Sequence, residues 1–303
     1  MKPKIVTILL STLFSIALWV FISFSYEYTT TIRVPIKFVD IKEGYAISDQ
    51  STASISLTIK GTGWVLAQKI VGPQTMFFIS ANKKTGTFKV DTRDALSDNR
   101  WINPSLHVAM VSPAELYFTV ERKSEKIVPI SSKAKLKIKK GYGIVSKIVL
   151  KPDSVRISGP LSIIRNIKNI DTEFKELTEL EGNVETKIKL HPINYVVYSN
   201  NYTTMKFAVQ KIVDKVFNNV PVNAVNVPKF RTLELFPHFV DVTLRGGLEN
   251  LGVMTKDSIT AVVDFNDAFL DTLGGVQPKI AHPEFTTLTN VNPKTLKYII
   301  KQY

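Results

Sequence analysis

Ser56-Leu57-Thr58-Ile59-Lys60-Gly61, Ser154-Val155-Arg156-Ile157-Ser158-Gly159 and Asp241-Val242-Thr243-Leu244-Arg245-Gly246 are one pattern written three times in a chain of 303 residues. In each copy apolar residues fall at alternate positions, the mark of a strand with one buried face. Each ends in glycine, which predicts a backbone turn that a side chain would hinder. A short apolar segment follows each: Trp64-Val65-Leu66, Leu161 to Ile167 and Leu248 to Leu251. These predict one or two turns of helix.

Other features recur around this strand, and internal repeats reset the reading of a fold. Each copy is preceded by an opening strand carrying proline: Ile32-Arg33-Val34-Pro35-Ile36, Lys126-Ile127-Val128-Pro129-Ile130 and Phe217-Asn218-Asn219-Val220-Pro221-Val222. A proline there suits an edge or a strand start. An aspartate ends a short strand in Val90-Asp91-Thr92, Ile170-Asp171-Thr172 and Val263-Asp264-Phe265. A closing strand completes each copy: Ser112-Pro113 through Val120, Asn201 through Val209, and Asn292-Pro293 through Ile300. The predicted architecture is all-β: three tandem small domains at residues 26–121, 122–211 and 212–303, with short helical turns, almost no linkers and an elongated arrangement.

Ahead of these units, residues 5–25 run from Ile5 to Ser25 without charge or proline. At about 1.5 Å per residue they reach roughly 31 Å, the thickness of a bilayer core. Residues 1–25 are therefore predicted to be a cytoplasmic N-terminus and a single transmembrane anchor, with Ile5, Leu9, Leu10, Phe14, Leu18, Trp19, Phe21 and Phe24 facing lipid. Lys2 and Lys4 on the leading flank favour a cytoplasmic N-terminus, which puts the bulk of the chain outside the cytoplasm. Trp19, Tyr26 and Tyr28 suit the far interface. Ser11 and Ser15, four residues apart, offer a surface for close approach of another helix. Small Ser23 and Ser25 also fit a signal-peptidase site, but the apolar run exceeds the ~7–15 residues of a signal core.

The formal charge is +13, with Lys2 and Lys4 contributing two of it. Such a basic surface either keeps the protein soluble or meets an anionic neighbour. An extracytoplasmic location favours a membrane surface or an anionic envelope polymer over nucleic acid. The absence of cysteine excludes disulfides, thiolate metal sites and cysteine nucleophiles.

The tandem pattern resembles the YbbR-domain proteins of bacteria. The resemblance is carried by Val34-Pro35-Ile36, Glu43-Gly44-Tyr45, Leu57 through Gly61 and Ser112-Pro113 in the first copy. In the second it is carried by Gly141-Tyr142 and Pro152 through Pro160. The third copy departs from it, with Pro228-Lys229-Phe230 in place of the Gly-Tyr pair. The resemblance implies β-rich domains with crossed strands. Its CdaR-like branch implies a membrane-anchored regulator of a diadenylate cyclase, the enzyme that makes cyclic di-AMP.

Nothing in the chain matches a phosphate loop, a nucleophile elbow or a zincin motif. Of the four histidines, His107, His191, His238 and His282, three hold nearly the same slot in successive copies, His107, His191 and His282, which argues for a role in the fold and against a shared metal. Asp91, Asp171 and Asp264 read best as helix N-caps. The one sharp local feature is a basic stripe. On a strand Lys133, Lys135, Lys137 and Lys139 share a face, with Ala134, Leu136 and Ile138 behind them. The stripe is a candidate docking surface, or a solvated face whose lysines deter edge pairing. No catalytic residue, cofactor or metal is expected. Two functions compete: regulation of an integral-membrane partner through the anchor and β-domains, and an envelope scaffold or polymer-binding module for which the helix is a simple tether.

Overall fold

The computed structural model describes residues 3–72, 75–102 and 105–302. Lys2 of the expected cytoplasmic flank lies outside them. One long helix, Pro3–Ser25, is followed by strands interrupted only by short helices and turns. The all-β expectation holds. Two compact units form: residues 1–128 with 156–168 and 192–199, and residues 129–155 with 169–191 and 200–303.

The proline of each opening strand has a structural meaning that an edge position does not capture. In the first unit the strand Glu27–Val39 pairs antiparallel with Ser54–Thr62 as far as Pro35↔Ser54. From Ile36 it pairs parallel with Phe77–Ser80 instead. In the second unit Val209–Val225 pairs antiparallel with Phe239–Gly247 as far as Pro221↔Phe239, then parallel with Thr260–Asp264 from Val222. Also in that unit, the residues after Pro129 pair parallel with Ile170–Asp171. Pro35 and Pro221 thus sit where a strand changes partners, and Pro129 directly before a parallel pairing begins. In all three copies the next residue's amide reaches the segment just before the alternating strand: Ile36 to the Ala53 carbonyl (3.0 Å), Ile130 to Asp153 (2.7 Å) and Val222 to His238 (2.9 Å). A residue between two partners risks an unpaired N–H, and proline has none to leave unpaired.

The first unit places Ser54–Thr62 between Glu27–Val39 and His107–Ser112. Its inward row, Ile55, Leu57 and Ile59, is wholly buried with Phe77, Ile79, Leu116 and Phe118. The closing strand is the first part of Glu115–Ser131, flanked by Tyr45–Gln50 and Gly86–Asp91. It runs on without interruption into the next opening strand, so no linker exists there. At the corresponding later place the strands Tyr202–Phe207 and Val209–Val225 are separated only by Ala208. The Ala208 amide donates to the Ser146 hydroxyl at 2.7 Å. The second unit packs a small core around Met205 and Phe207 and a larger one around Val242, Leu244 and Phe265.

The repeated glycines Gly61, Gly159 and Gly246 are not turn residues, contrary to expectation. They lie within the strands Ser54–Thr62, Ser154–Pro160 and Phe239–Gly247, and none has a positive φ. Their lack of a side chain serves close approach. A methyl group at Gly159 would stand 2.7 Å from the Tyr195 carbonyl oxygen, and one at Gly61 3.1 Å from that of Ser105. Five residues beyond each glycine a buried aliphatic, Leu66, Ile164 or Leu251, packs back against it from the short helices Gly63–Val71, Leu161–Asn166 and Leu248–Val253.

The Gly-Tyr pairs do need the left-handed conformation, with φ of +80° at Gly44 and +87° at Gly141. In the divergent third copy Phe230 takes the place before the strand Arg231–Phe236 with φ of +70°. A phenylalanine there bears a cost that glycine avoids.

Two substitution tests follow from this packing. Gly159→Ala forces a methyl group against a backbone oxygen and is expected to cost about 1–3 kcal/mol, seen as a lower denaturation midpoint. Gly182→Ala, where a methyl group meets nothing within 4 Å, is expected to leave that midpoint nearly unchanged. Phe230→Gly is expected to raise stability by up to about 1 kcal/mol, and Gly141→Ala to lower it by a similar amount. Urea unfolding of the two variants checks both signs.

Candidate functional site

The basic stripe lies on the strand Ala134–Ile138, in parallel pairing with Lys175–Leu180. That neighbour brings acids to it. Lys133 pairs with Asp171 at 3.5 Å, Lys137 with Glu176 at 2.8 Å, and Lys139 with Glu181. The Glu181 hydrogen bond raises the Lys139 pKa. Lys135 faces solvent opposite Glu176 in the strand register. Three of the four lysines therefore have carboxylate partners, and the face is a ladder of alternating charge. Behind it Ala134 and Leu136 pack on the Met205 core, but Ile138 at the strand end is exposed.

The three aspartates occupy unlike places. Asp264 is an N-cap: its carboxylate accepts the Asn266 amide at 2.9 Å, at the start of the helix Phe265–Leu270, and the Asn226 side-chain amide at 2.6 Å. The Asn266 amide, with help from Asn226, holds the Asp264 carboxyl below the usual carboxylate range. Asp91 accepts the Arg93 amide at 2.8 Å in a turn before the short 3-10 helix Asp94–Asp98. Asp171 starts no helix; it accepts the Asn169 side chain at 3.0 Å and pairs with Lys133. Nor are they equivalent in the sheets. Asp171 and Asp264 lie on the strands parallel to the opening strand, whereas Asp91 lies on Gly86–Asp91, which pairs with the closing strand. The histidines stay apart as well. The His282 imidazole bonds the Thr286 hydroxyl at 2.9 Å, and His107 opens the strand His107–Ser112. Among the described residues no group of three or more His, Asp and Glu side chains is placed to hold a metal ion.

A broad, open cavity of about 910 Å³ lies in the second unit. Val149, Phe207 and Phe285 line it, and two ion pairs border it: Lys147–Glu284 at 3.0 Å and Lys206–Glu185 at 2.7 Å. Its charges are already paired, so it offers no single sign to a ligand.

The strongest candidate is the N-terminal helix and its junction with the first unit. Within residues 5–25 an 18-residue stretch has a mean hydropathy of 2.5, and every side chain from Ile5 to Trp19 is exposed. A helix apolar on all sides and covered by nothing has the length and surface of a membrane span. Ile5, Leu9, Leu10, Phe14, Leu18, Trp19 and Phe21 are all exposed on it, while Phe24 is half-buried. The Ser15 hydroxyl bonds the Ser11 carbonyl at 2.9 Å within the helix.

What the sequence does not announce is how the helix is joined. It passes into the strand Glu27–Val39 after a single residue, Tyr26. That strand pairs with Ser54–Thr62 in the register Glu27↔Thr62, so the helix before one strand and the helix after the other leave from the same end. The Tyr28 hydroxyl donates to the Ser23 carbonyl at 2.9 Å, and the Gly63 amide to the Tyr26 carbonyl at 3.0 Å. The Trp64 ring lies 5.0 Å from that of Phe24 and 6.3 Å from that of Phe21. Gly63 permits this: a methyl group there would lie 2.8 Å from the Phe24 Cα. The Trp-Val-Leu that follows the first glycine motif was the available signal, but its partner at Phe24 is a tertiary fact.

The Asp264 cap has a signature in acid. Because its folded pKa is depressed, its stabilisation is complete above the ordinary carboxylate pKa and is lost as pH falls through the folded value. The stability gap between the native chain and Asp264→Asn, open at neutral pH, is expected to close below about pH 4, as read by thermal melts across a pH series.

Residues 128–207 match the family model described as YbbR-like protein. The match runs from the residue before Pro129 to the last residue of the closing strand Tyr202–Phe207. No curated protein matches the chain. The crystal structure of a YbbR-like protein from Streptococcus pneumoniae TIGR4 is similar at 17% identity and a TM-score of 0.43, over 61% of this chain and 96% of that one. Residues 128–207 of the chain are thus similar to a YbbR-like domain.

Proposed function

We propose that this chain is a non-enzymatic, single-pass membrane protein that acts by contact, with its N-terminus in the cytoplasm and its β-domains outside. Its partner is an integral-membrane protein, and the family resemblance makes a membrane-bound diadenylate cyclase the first candidate. One observation carries the reading: the N-terminal helix is fixed to the first β-unit through Tyr28–Ser23, Gly63–Tyr26 and Trp64–Phe24. A tether needs no such joint. An element that passes a change of state from outer domains to a membrane partner does, because regulation needs unequal binding to two states of that partner. The scaffold reading leaned on the basic stripe as a docking surface for an anionic polymer, and the carboxylates beside Lys133, Lys137 and Lys139 weaken it.

The test compares the intact protein with a version whose residues 5–25 are replaced by an unrelated apolar helix, both purified from native membranes. A membrane enzyme recovered only with the native helix supports regulation. The same envelope components recovered with both versions, and no enzyme, refute it in favour of the scaffold. An insertion of flexible Gly-Ser residues between Ser25 and Tyr26 is expected to retain the partner while abolishing its regulation.

A further inference from the structure

We propose that the short helix Gly63–Val71 is a second membrane contact, lying at the lipid headgroups beside the foot of the N-terminal helix. The proposal deepens the anchor reading and rests on it. The occupant of this face is lipid.

The argument begins with depth. If residues 5–25 cross the bilayer core, Phe21 and Phe24 lie in the last turn before its outer boundary. Trp64 packs on both rings, so it is held at that same level. Tryptophan and tyrosine favour this zone because their rings are apolar and their polar tips are wet. Tyr26 and Tyr28 stand exposed beside it, which makes three such rings at one level.

The helix also carries an apolar surface that the protein leaves uncovered. Its inward side is Gly63 and Leu66, both buried. Of its other residues Trp64 is 47% exposed, Ile70 61% and Val71 86%, so much of its apolar surface is uncovered. A groove of about 390 Å³ runs between the two helices, with Ser23 and Phe24 on one side and Ile70 and Val71 on the other. The first turn of the short helix adjoins the foot of the long one through Gly63 and Trp64, and its last residues share the groove with Tyr28 and Thr30 of the opening strand. Continuity with the membrane-spanning surface is what selects lipid: the exposed apolar face of the long helix passes through this groove to Ile70 and Val71 without a charged residue among the groove's lining. Lys69, just before them in sequence, turns instead to the Trp101 ring, 5.5 Å away.

The native chain has no cysteine, so single spin labels report single places. Three variants of the full chain, Ile16→Cys, Val71→Cys and Lys84→Cys, are labelled and reconstituted in vesicles of phosphatidylcholine and phosphatidylglycerol. Power saturation then compares collision with oxygen, which enters lipid, and with a water-soluble nickel chelate. Lys84 is the aqueous reference. It follows the strand paired with Val39, at the far end of the opening strand, roughly 40 Å from Glu27. The expected result places the label at Ile16 in the bilayer core and the label at Val71 at the headgroups, several-fold less accessible to nickel than at Lys84. A label at Val71 as accessible to nickel as that at Lys84, with Ile16 still in lipid, overturns the second contact and leaves the anchor standing. Shielding of Val71 from both reagents means protein covers the face, and overturns lipid as its occupant. Free access of nickel to Ile16 overturns the anchor reading, and this inference with it.

Discussion

The structure depends on how a β-strand can leave one partner and join another without stranding its backbone. A strand in the middle of a sheet satisfies its amides on both sides. Where it departs from an antiparallel neighbour and begins a parallel pairing, one residue lies between ladders. Pro35 and Pro221 occupy those places, Pro129 directly precedes a parallel pairing, and the residue after each completes the same backbone bond. Once the opening strand is committed to two partners, the rest of each copy is constrained. The alternating strand must run antiparallel to its first half and a short strand parallel to its second, and the closing strand forms its own ladder. The first closing strand, within Glu115–Ser131, feeds the next opening strand directly, so one copy's end is the next copy's beginning.

A second constraint acts at the end of the alternating strand. There the chain turns into a short helix that must fold back over the strand it has just left. Leu66, Ile164 and Leu251 bring a branched side chain onto the strand at Gly61, Gly159 and Gly246, and a methyl group would crowd the site. Burying one face of so short a helix leaves the opposite face to water or to a partner. In the second and third copies Leu161 and Leu248 stay exposed; in the first Trp64, Ile70 and Val71 do, next to the membrane-spanning candidate. The same local device thus has a different neighbour in the first copy, because only there does an apolar helix immediately precede the opening strand.

Charge is arranged differently from the apolar groups. The excess of lysine is real, yet where lysines cluster most densely the parallel neighbour supplies Asp171, Glu176 and Glu181. Exposed pairs of this kind add little stability. Their effect here is to cancel a local field that the sequence seemed to offer to an anionic partner. The same holds in the large cavity of the second unit, whose lysines and glutamates pair across its border.

The amino-acid sequence alone determined the class of this protein: a long apolar helix, then repeated alternating strands with short helices after each glycine. These are periodicities, and a period of two or of 3.6 is written in neighbouring residues. Equivalences resting on longer reach were not legible. Asp91, Asp171 and Asp264 look alike within a few residues, but the strands that bear them pair with different partners. The glycines looked like turns because a glycine's freedom is local, whereas the atoms that exclude a side chain, the Tyr195 and Ser105 carbonyls, come from 36 and 44 residues away in the chain. The lysine stripe was visible from one strand, and its neutralisation required the other. Only the tertiary structure decided which strands meet, and so which charges cancel and which apolar faces stay open. Pairing across a sheet is a relation between distant segments, and no local pattern contains it.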